Sequence, residues 1–345
     1  MVVNEVDNIP FGENRPCFIV AEAGSNHNND IDIAYKLIDS AKDAGADAVK
    51  FQIFKADLLY SKKTPHHSLY DKDPYNLIKD IELPREWITK LKEYADKRGI
   101  VFFASPFDFE AVDMLYSAGV EIFKIASFEI VDLELIEYVA GKGKPVIIST
   151  GLANMSEIED AVATARMVGL SSEKICLLQC ASAYPASPDI MNLRSMETMR
   201  KAFGVTTGLS DHTPGIHIPV AAVAMGARVI EKHFTLNRKM DGPDHAFAIE
   251  PDELKAMVKN IRDVEKAIGD GIKRGPSPEE MENYEKARRS IHARVHIPMG
   301  TVITRDMLVV KRPGYGIEPK FIGIVVGRKA KVDIEEDAWI EWEMI

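Results

Sequence analysis

Cysteine is scarce in this chain. Cys17, Cys176 and Cys180 are the three present, each inside an apolar, strand-like run. No disulfide framework is implied, and a reducing compartment, the cytoplasm, is the expected setting. A buried small hydrophobe is favoured over a catalytic thiol at each position. No apolar run approaches the roughly 18 residues of a membrane span. The first residues carry Asp and Glu and no apolar core, so no signal peptide is expected. Basic charge is not in excess either: 43 Lys and Arg face 53 Asp and Glu, a formal net charge of −10. This argues against a general nucleic-acid binder. It leaves room for an anionic substrate, because a few local lysines can outweigh the global field. Finally, no Gly-x-Gly-x-x-Gly follows the first strand, which disfavours a dinucleotide-binding open sheet.

The length, 345 residues, suggests about two domains, and 46% hydrophobic residues supply a sizeable core. Residues up to about Pro16 suggest a short hairpin turning at Phe11-Gly12. Short buried strands then alternate with amphipathic helices. Strands are predicted at 17–22, 47–53, 100–105, 122–127, 145–149, 175–180, 205–209 and 228–233. Helices are predicted at 33–44, 87–98, 108–117, 133–140, 156–168, 195–203, 219–226 and 251–268, with Ser156 and Glu159 spaced as a capping box. Eight such repeats point to a (β/α)₈ TIM barrel over residues 1–268, with a doubly wound sheet as runner-up. Residues 269–289, with Gly-Asp-Gly and Pro-Ser-Pro, suggest a linker. Residues 290–345 suggest a small β domain, with short strands at 290–297, 309–311, 324–326 and 338–342.

In such a barrel the active site lies at the C-terminal ends of the strands. Those ends carry Glu22, Lys50 with Gln52, Ser105, Lys124 with Ser127 and Glu129, Ser149, Ser182 with Tyr184, Ser210 with His212, and Glu231 with His233. Alternation puts Ser210 with His212, and Glu231 with His233, on shared faces. Two lysines and several hydroxyls suit a phosphate and a carboxylate. Two histidines that leave coordination positions open suit Mn²⁺, Mg²⁺ or Co²⁺ better than a closed structural zinc site.

Nine motifs in order, Glu22-Ala-Gly-Ser-Asn-His27, Val49-Lys-Phe-Gln52, Lys124-Ile-Ala-Ser-Phe-Glu129, Ser149-Thr-Gly151, Tyr184-Pro185, Gly208-Leu-Ser-Asp-His-Thr213, Glu231-Lys-His-Phe-Thr235, Gly242-Pro-Asp-His245 and Lys311-Arg-Pro-Gly314, resemble the sialic acid synthase family over nearly the whole chain. The C-terminal part resembles that family's antifreeze-like (SAF) domain, a β-clip. The resemblance implies condensation of phosphoenolpyruvate with the open-chain aldehyde of an N-acyl hexosamine, giving a nine-carbon 2-keto acid and phosphate. It implies a divalent metal on His212 and His233. Lys50, Lys124, Ser127, Ser149, Ser182, Ser210 and Ser105 would bind phosphoenolpyruvate. Glu22 would be the acid/base and Glu231 a second candidate. Gln52, Glu129, Tyr184 and Asp244 would handle the sugar, joined by Arg312 from the partner in a domain-exchanged homodimer. Ala126-Ser-Phe-Glu129 is nearer the pseudaminic acid and spore-coat synthases, and Gly242-Pro-Asp-His245 nearer the N-acetylneuraminate and legionaminate types, so the acceptor sugar stays open. Two rivals of other classes are a Schiff-base aldolase acting through Lys50 or Lys124 and a non-catalytic glycan-binding protein.

Overall fold

The computed structural model describes residues 9–65 and 73–345, and the chain divides into two compact units, Met1–Gly269 and Asp270–Ile345. The first is a closed barrel of eight parallel strands in sequence order. The strands are β1 (Phe18–Gly24), β2 (Ala48–Ile53), β3 (Val101–Pro106), β4 (Phe123–Ile125), β5 (Val146–Ser149), β6 (Ile175–Cys180), β7 (Thr206–Asp211) and β8 (Val229–His233). The barrel with its later β-containing unit is the expected architecture.

Helices alternate with the strands, and most of them bury one face. In Ile31–Asp43 the buried positions are Ala34, Leu37, Ile38 and Ala41, the stripe expected of 3.6-residue periodicity. Asp30 caps this helix by accepting from the N–H groups of Asp32 and Ile33. Burying each such Leu or Ile stabilises the unit by about 1.5–3 kcal/mol. The helix Met155–Met167 starts one residue earlier than expected, and its capping box is Asn154 with Glu157, not Ser156 with Glu159. Asn154 is still extended, and its side chain accepts from the N–H groups of Ser156 and Glu157. Ser156 is therefore already inside the helix.

The hairpin expected before Pro16 falls partly on residues 1–8, outside the described residues; residues 9–17 carry a turn and no strand. No described helix is long and apolar enough to cross a membrane.

The strand register positions the site. Glu22 lies opposite Lys50 on β2 and opposite His233 on β8. Gln52 pairs with Ser105, and Ser210 pairs with Glu231. Strand β4 is short, and Ser127–Glu129 forms a 3₁₀ turn just beyond it.

The second unit has its own core, with Ile291, Ile297, Ile303, Leu308, Ile317 and Ile340 among its buried residues. Strands β9 (Ser290–Ala293) and β10 (Leu308–Lys311) pair antiparallel. Single bridges add His292–Trp339, Ile297–Ile334 and Val302–Lys329. Ile322–Val325 is one turn of α-helix, not the strand expected around Ile324–Val326. The apolar run there is satisfied by inserting Val325 into the core. The segment between the units' regular elements holds the helix Met281–Ala287.

Candidate active site

The expected barrel-borne residues converge on one mouth. Lys50 and Lys124 are both 2% exposed, as is Ser210, while Glu22 is 1% and Glu231 4% exposed. Lys50 Nζ stands 2.9 Å from Glu22 Oε2 and 3.8 Å from Glu231 Oε2, and donates to Ser105 Oγ at 3.2 Å. Lys124 Nζ donates to Ser149 Oγ at 2.6 Å and to the Ile125 carbonyl at 3.0 Å, 3.8 Å from Glu231 Oε1. Glu231 thus lies between the two ammoniums and also accepts from Ser210 Oγ at 3.1 Å. Gln52 Nε2 donates to Glu22 Oε1 at 2.9 Å.

Burial opposes charge on both lysines, with opposite outcomes. For Lys50, Glu22 and Glu231 outweigh it, and the pKa rises. For Lys124, burial prevails with help from Lys50, and the pKa falls. Burial likewise opposes ionisation of Glu231, but Lys124, Lys50 and His233 hold its carboxyl well below the usual range.

The two histidines lie side by side, ring centroids 5.2 Å apart. His212 Nδ1 is 2.8 Å from the Ala181 carbonyl, which fixes it as the donor and leaves Nε2 with the free lone pair. His233 Nδ1 lies 3.5 Å from Asp244 Oδ2. Tyr184 stacks at 4.2 Å from His212, and Phe247 packs against both Tyr184 and His233. Among the described residues no three His, Cys, Asp or Glu side chains are grouped so that they could together hold a metal ion. The donor set fits a divalent ion in an open site, for two reasons. Two imidazoles supply only part of a coordination sphere. The carboxylates of Glu22, Glu231 and Asp244 also outnumber the two ammoniums.

Ser127 and Ser182 flank Gly151. The Gly151 N–H donates to Ser127 Oγ at 3.0 Å. A Cβ at position 151 would stand 2.3 Å from Ser182 Oγ and 2.8 Å from Ser127 Oγ. The hydroxyls therefore need glycine to approach that backbone. Five buried polar atoms around the mouth make no hydrogen bond within the protein: Glu129 Oε2 and Ser182 Oγ, and also Glu22 Oε2, Glu231 Oε2 and His233 Nδ1, whose neighbours are ionic, Lys50 for the first two and Asp244 for the third. Natural interiors leave few such atoms unpaired, and their gathering at one mouth marks a polar ligand site.

Arg312 belongs to the second unit. It is exposed, directly after β10, and has no hydrogen bond or ion pair to another described residue. Ser290 Oγ donates to the Pro313 carbonyl at 2.7 Å and so anchors the turn next to it.

Two family models cover most of the chain, the NeuB family at residues 37–273 and the SAF domain at residues 288–345. The chain belongs to the NeuB family. This NeuB-family chain is 41% identical to the N,N'-diacetyllegionaminic acid synthase of Legionella pneumophila, over 97% of this chain and 96% of that one. It is 39% identical to the pseudaminic acid synthase of Helicobacter pylori, over 92% and 94%. Among solved structures it resembles the N-acetylneuraminic acid synthetase of Leptospira borgpetersenii, at 39% identity and a TM-score of 0.72, over 80% of this chain and 92% of that one. The expectation of a sialic-acid-synthase-like enzyme, a TIM barrel with a C-terminal SAF domain, is borne out.

Residues missed in the sequence include Phe247, which builds one wall of this NeuB-family mouth, and Cys180, whose thiol lies 3.9 Å from His212 Nδ1. Phe247 has no polar group to mark it, and Cys180, although it ends β6, reads in the sequence as a buried small hydrophobe. Phe247 follows the Gly242-Pro-Asp-His245 motif closely, and that proximity was the available signal.

Glu129 yields a pH prediction. Burial pushes its carboxyl up to about 7, with Lys124 pulling the other way. Between its ordinary value near 4.5 and about 7, the folded chain holds a proton that the unfolded chain releases. Stability from this group is therefore lost as pH rises through that window. Glu129→Gln is expected to match the native protein near pH 4 and to exceed it near pH 8, by on the order of 1–3 kcal/mol. Urea melts across that range check it; a difference independent of pH would refute the assignment.

Proposed function

We propose that this chain condenses phosphoenolpyruvate with the open-chain aldehyde of an N-acyl hexosamine, forming a nine-carbon 2-keto acid and releasing phosphate. The observation that carries the reading is the set of buried charged and polar atoms, several without a hydrogen bond, around two buried lysines. Such a mouth suits a small, multiply charged, oxygen-rich ligand better than an apolar one. The named synthases among the relatives agree with this class.

In the proposed chemistry the methylene carbon of phosphoenolpyruvate bonds to the aldehyde carbon, whose oxygen takes up a proton. Cationic character then develops at C2, water adds there and loses a proton, and the tetrahedral centre expels phosphate. Lys50, Lys124, Ser127, Ser149, Ser182 and Ser210 hold the phosphoenolpyruvate oxygens, with Ser105 steadying Lys50. Glu22 moves the protons, since its carboxylate sits at the mouth with one oxygen on Gln52 Nε2 and the other on Lys50 Nζ, each within hydrogen-bond reach. Glu231, held ionised, is the second candidate and stabilises positive charge at C2. Gln52, Glu129, Tyr184 and Asp244 orient the sugar. A divalent cation (Mn²⁺, Mg²⁺ or Co²⁺) on His212 and His233 would, when bound, supply Lewis acidity toward the acceptor carbonyl. Cytoplasmic action is part of the proposal; the three cysteines are free thiols.

Phosphate release measured with phosphoenolpyruvate and a panel of sugars, N-acetylmannosamine and 2,4-diacetamido-2,4,6-trideoxyhexoses, tests the reading and selects the acceptor. No release with any member would refute it. One observation favours a second reading: the depressed pKa of Lys124 is what an imine-forming amine needs. Borohydride trapping of pyruvate on Lys124 would establish that aldolase alternative.

The homodimer with Arg312 serving the partner's site is likewise a proposal, supported by an exposed guanidinium without a partner among the described residues. Arg312→Ala and His233→Ala subunits, each nearly inactive alone, are expected to regain part of the activity when mixed and allowed to exchange. Exchange without recovery would remove Arg312 from a shared site.

A further inference from the structure

The next residue pair behind the two histidines is a closed ionic clamp. Strands β7 and β8 run parallel with Ser210 opposite Glu231 and Asp211 opposite Lys232. Alternation turns Ser210 and Glu231 toward the mouth and Asp211 and Lys232 away from it. The next residues, His212 and His233, turn back toward the mouth. Lys232 Nζ donates to Asp211 Oδ2 at 2.6 Å, with the two side chains 2% and 0% exposed. The same ammonium also donates to the Thr213 carbonyl. The Asp211 carboxylate in turn accepts from the Thr213 N–H at 3.0 Å and from its hydroxyl at 3.1 Å. His212 is thereby bracketed by two residues that are tied to each other and to Lys232. Lys232 is itself the neighbour of His233.

A buried ion pair of this kind adds little net stability compared with apolar side chains of the same volume, because desolvating both charges offsets their attraction. What the clamp does supply is geometry. It fixes the end of β7 and the end of β8 in one register, and it closes the chain around His212 into a defined turn. We propose that Asp211 and Lys232 are positioning residues that hold His212 and His233 at the spacing needed to share one divalent cation. This rests on the reading of the two histidines as metal ligands.

The test is Mn²⁺ binding to the purified protein without substrates, followed by electron paramagnetic resonance or calorimetry. Lys232→Met removes the cross-tie and leaves the Asp211–Thr213 turn. It is expected to weaken Mn²⁺ affinity at least tenfold, lower kcat comparably, and leave the phosphoenolpyruvate KM within about threefold, in the range that loss of a ligand-orienting group produces. Asp211→Asn/Lys232→Met removes both charges and keeps an acceptor for the Thr213 N–H. It is expected to restore the Tm lost in Lys232→Met but not the Mn²⁺ affinity. Recovery of both would show that the pair only balances charge, and would overturn the inference. Unchanged Mn²⁺ affinity in Lys232→Met would overturn it too. Failure of the unmodified protein to bind Mn²⁺, Mg²⁺ or Co²⁺ would be a different result, overturning the metal reading of the histidines and this inference with it.

Discussion

Replacing His233 with alanine is expected to lower kcat by on the order of a thousandfold, several kcal/mol of lost carbonyl polarisation. The phosphoenolpyruvate KM should move only a few-fold. Exhaustive chelation of the unmodified protein should have the same effect, reversed by adding Mn²⁺ back. The argument is local. His212 commits Nδ1 to the Ala181 carbonyl, so Nε2 is the nitrogen left for an outside partner. His233 Nδ1 is buried without a hydrogen bond, close to Asp244 Oδ2 but 3.5 Å away. The two rings are close enough to serve one small ion. No hydrogen bond among the described residues joins either phosphoenolpyruvate-gripping lysine to either ring, so the phosphoenolpyruvate and metal functions should separate in the kinetics. Full turnover in His233→Ala after chelation would eliminate the metal from the mechanism.

What was legible in the sequence was periodic. Buried strands followed by amphipathic helices repeat eight times, and polar residues recur where each strand ends. Parity alone placed Glu231 and His233 on one face. Contacts that depend on which strand neighbours which, and at what offset, were not legible. Glu22 meets Lys50 through the pairing of β1 with β2, and meets the distant His233 only because the barrel closes β1 against β8. The Asp211–Lys232 pair was hidden for a related reason. Each residue sits between two mouth-facing ones, and a charge facing away from the mouth looks like a solvated one until the packing around it is known. The run at Ile324–Val326 failed as a strand because three apolar residues fit a helical turn as well as a strand, and only burial of Val325 decides. The Ser156 cap failed by two residues, the ordinary uncertainty of a helix start.

The two lysines should respond to the same substitution in opposite ways when no substrate is bound. Lys50→Met removes an ammonium that the fold favours, since Glu22 and Glu231 raise its pKa despite burial. Its contribution to stability is fully present below the ordinary lysine range and would be lost only as pH rises through the raised value. At neutral pH, deleting it leaves two buried carboxylates short of a counter-charge, at a cost of about 3 kcal/mol. Lys124→Met removes an ammonium that burial and Lys50 disfavour, while Glu231 keeps Lys50 as a partner. Its Tm should therefore hold or rise. Both variants should nonetheless lose phosphoenolpyruvate affinity. A charge-assisted hydrogen bond to an anion contributes about 1.5–3 kcal/mol, so the phosphoenolpyruvate KM should rise by roughly ten- to a hundredfold. The sugar KM should stay within about a factor of two. Thermal melts of the two apo variants beside steady-state titration of each substrate check both halves. Equal destabilisation would place the lysines in equivalent environments, contrary to the geometry. A rise confined to the sugar KM would move them from the phosphoenolpyruvate subsite to the acceptor.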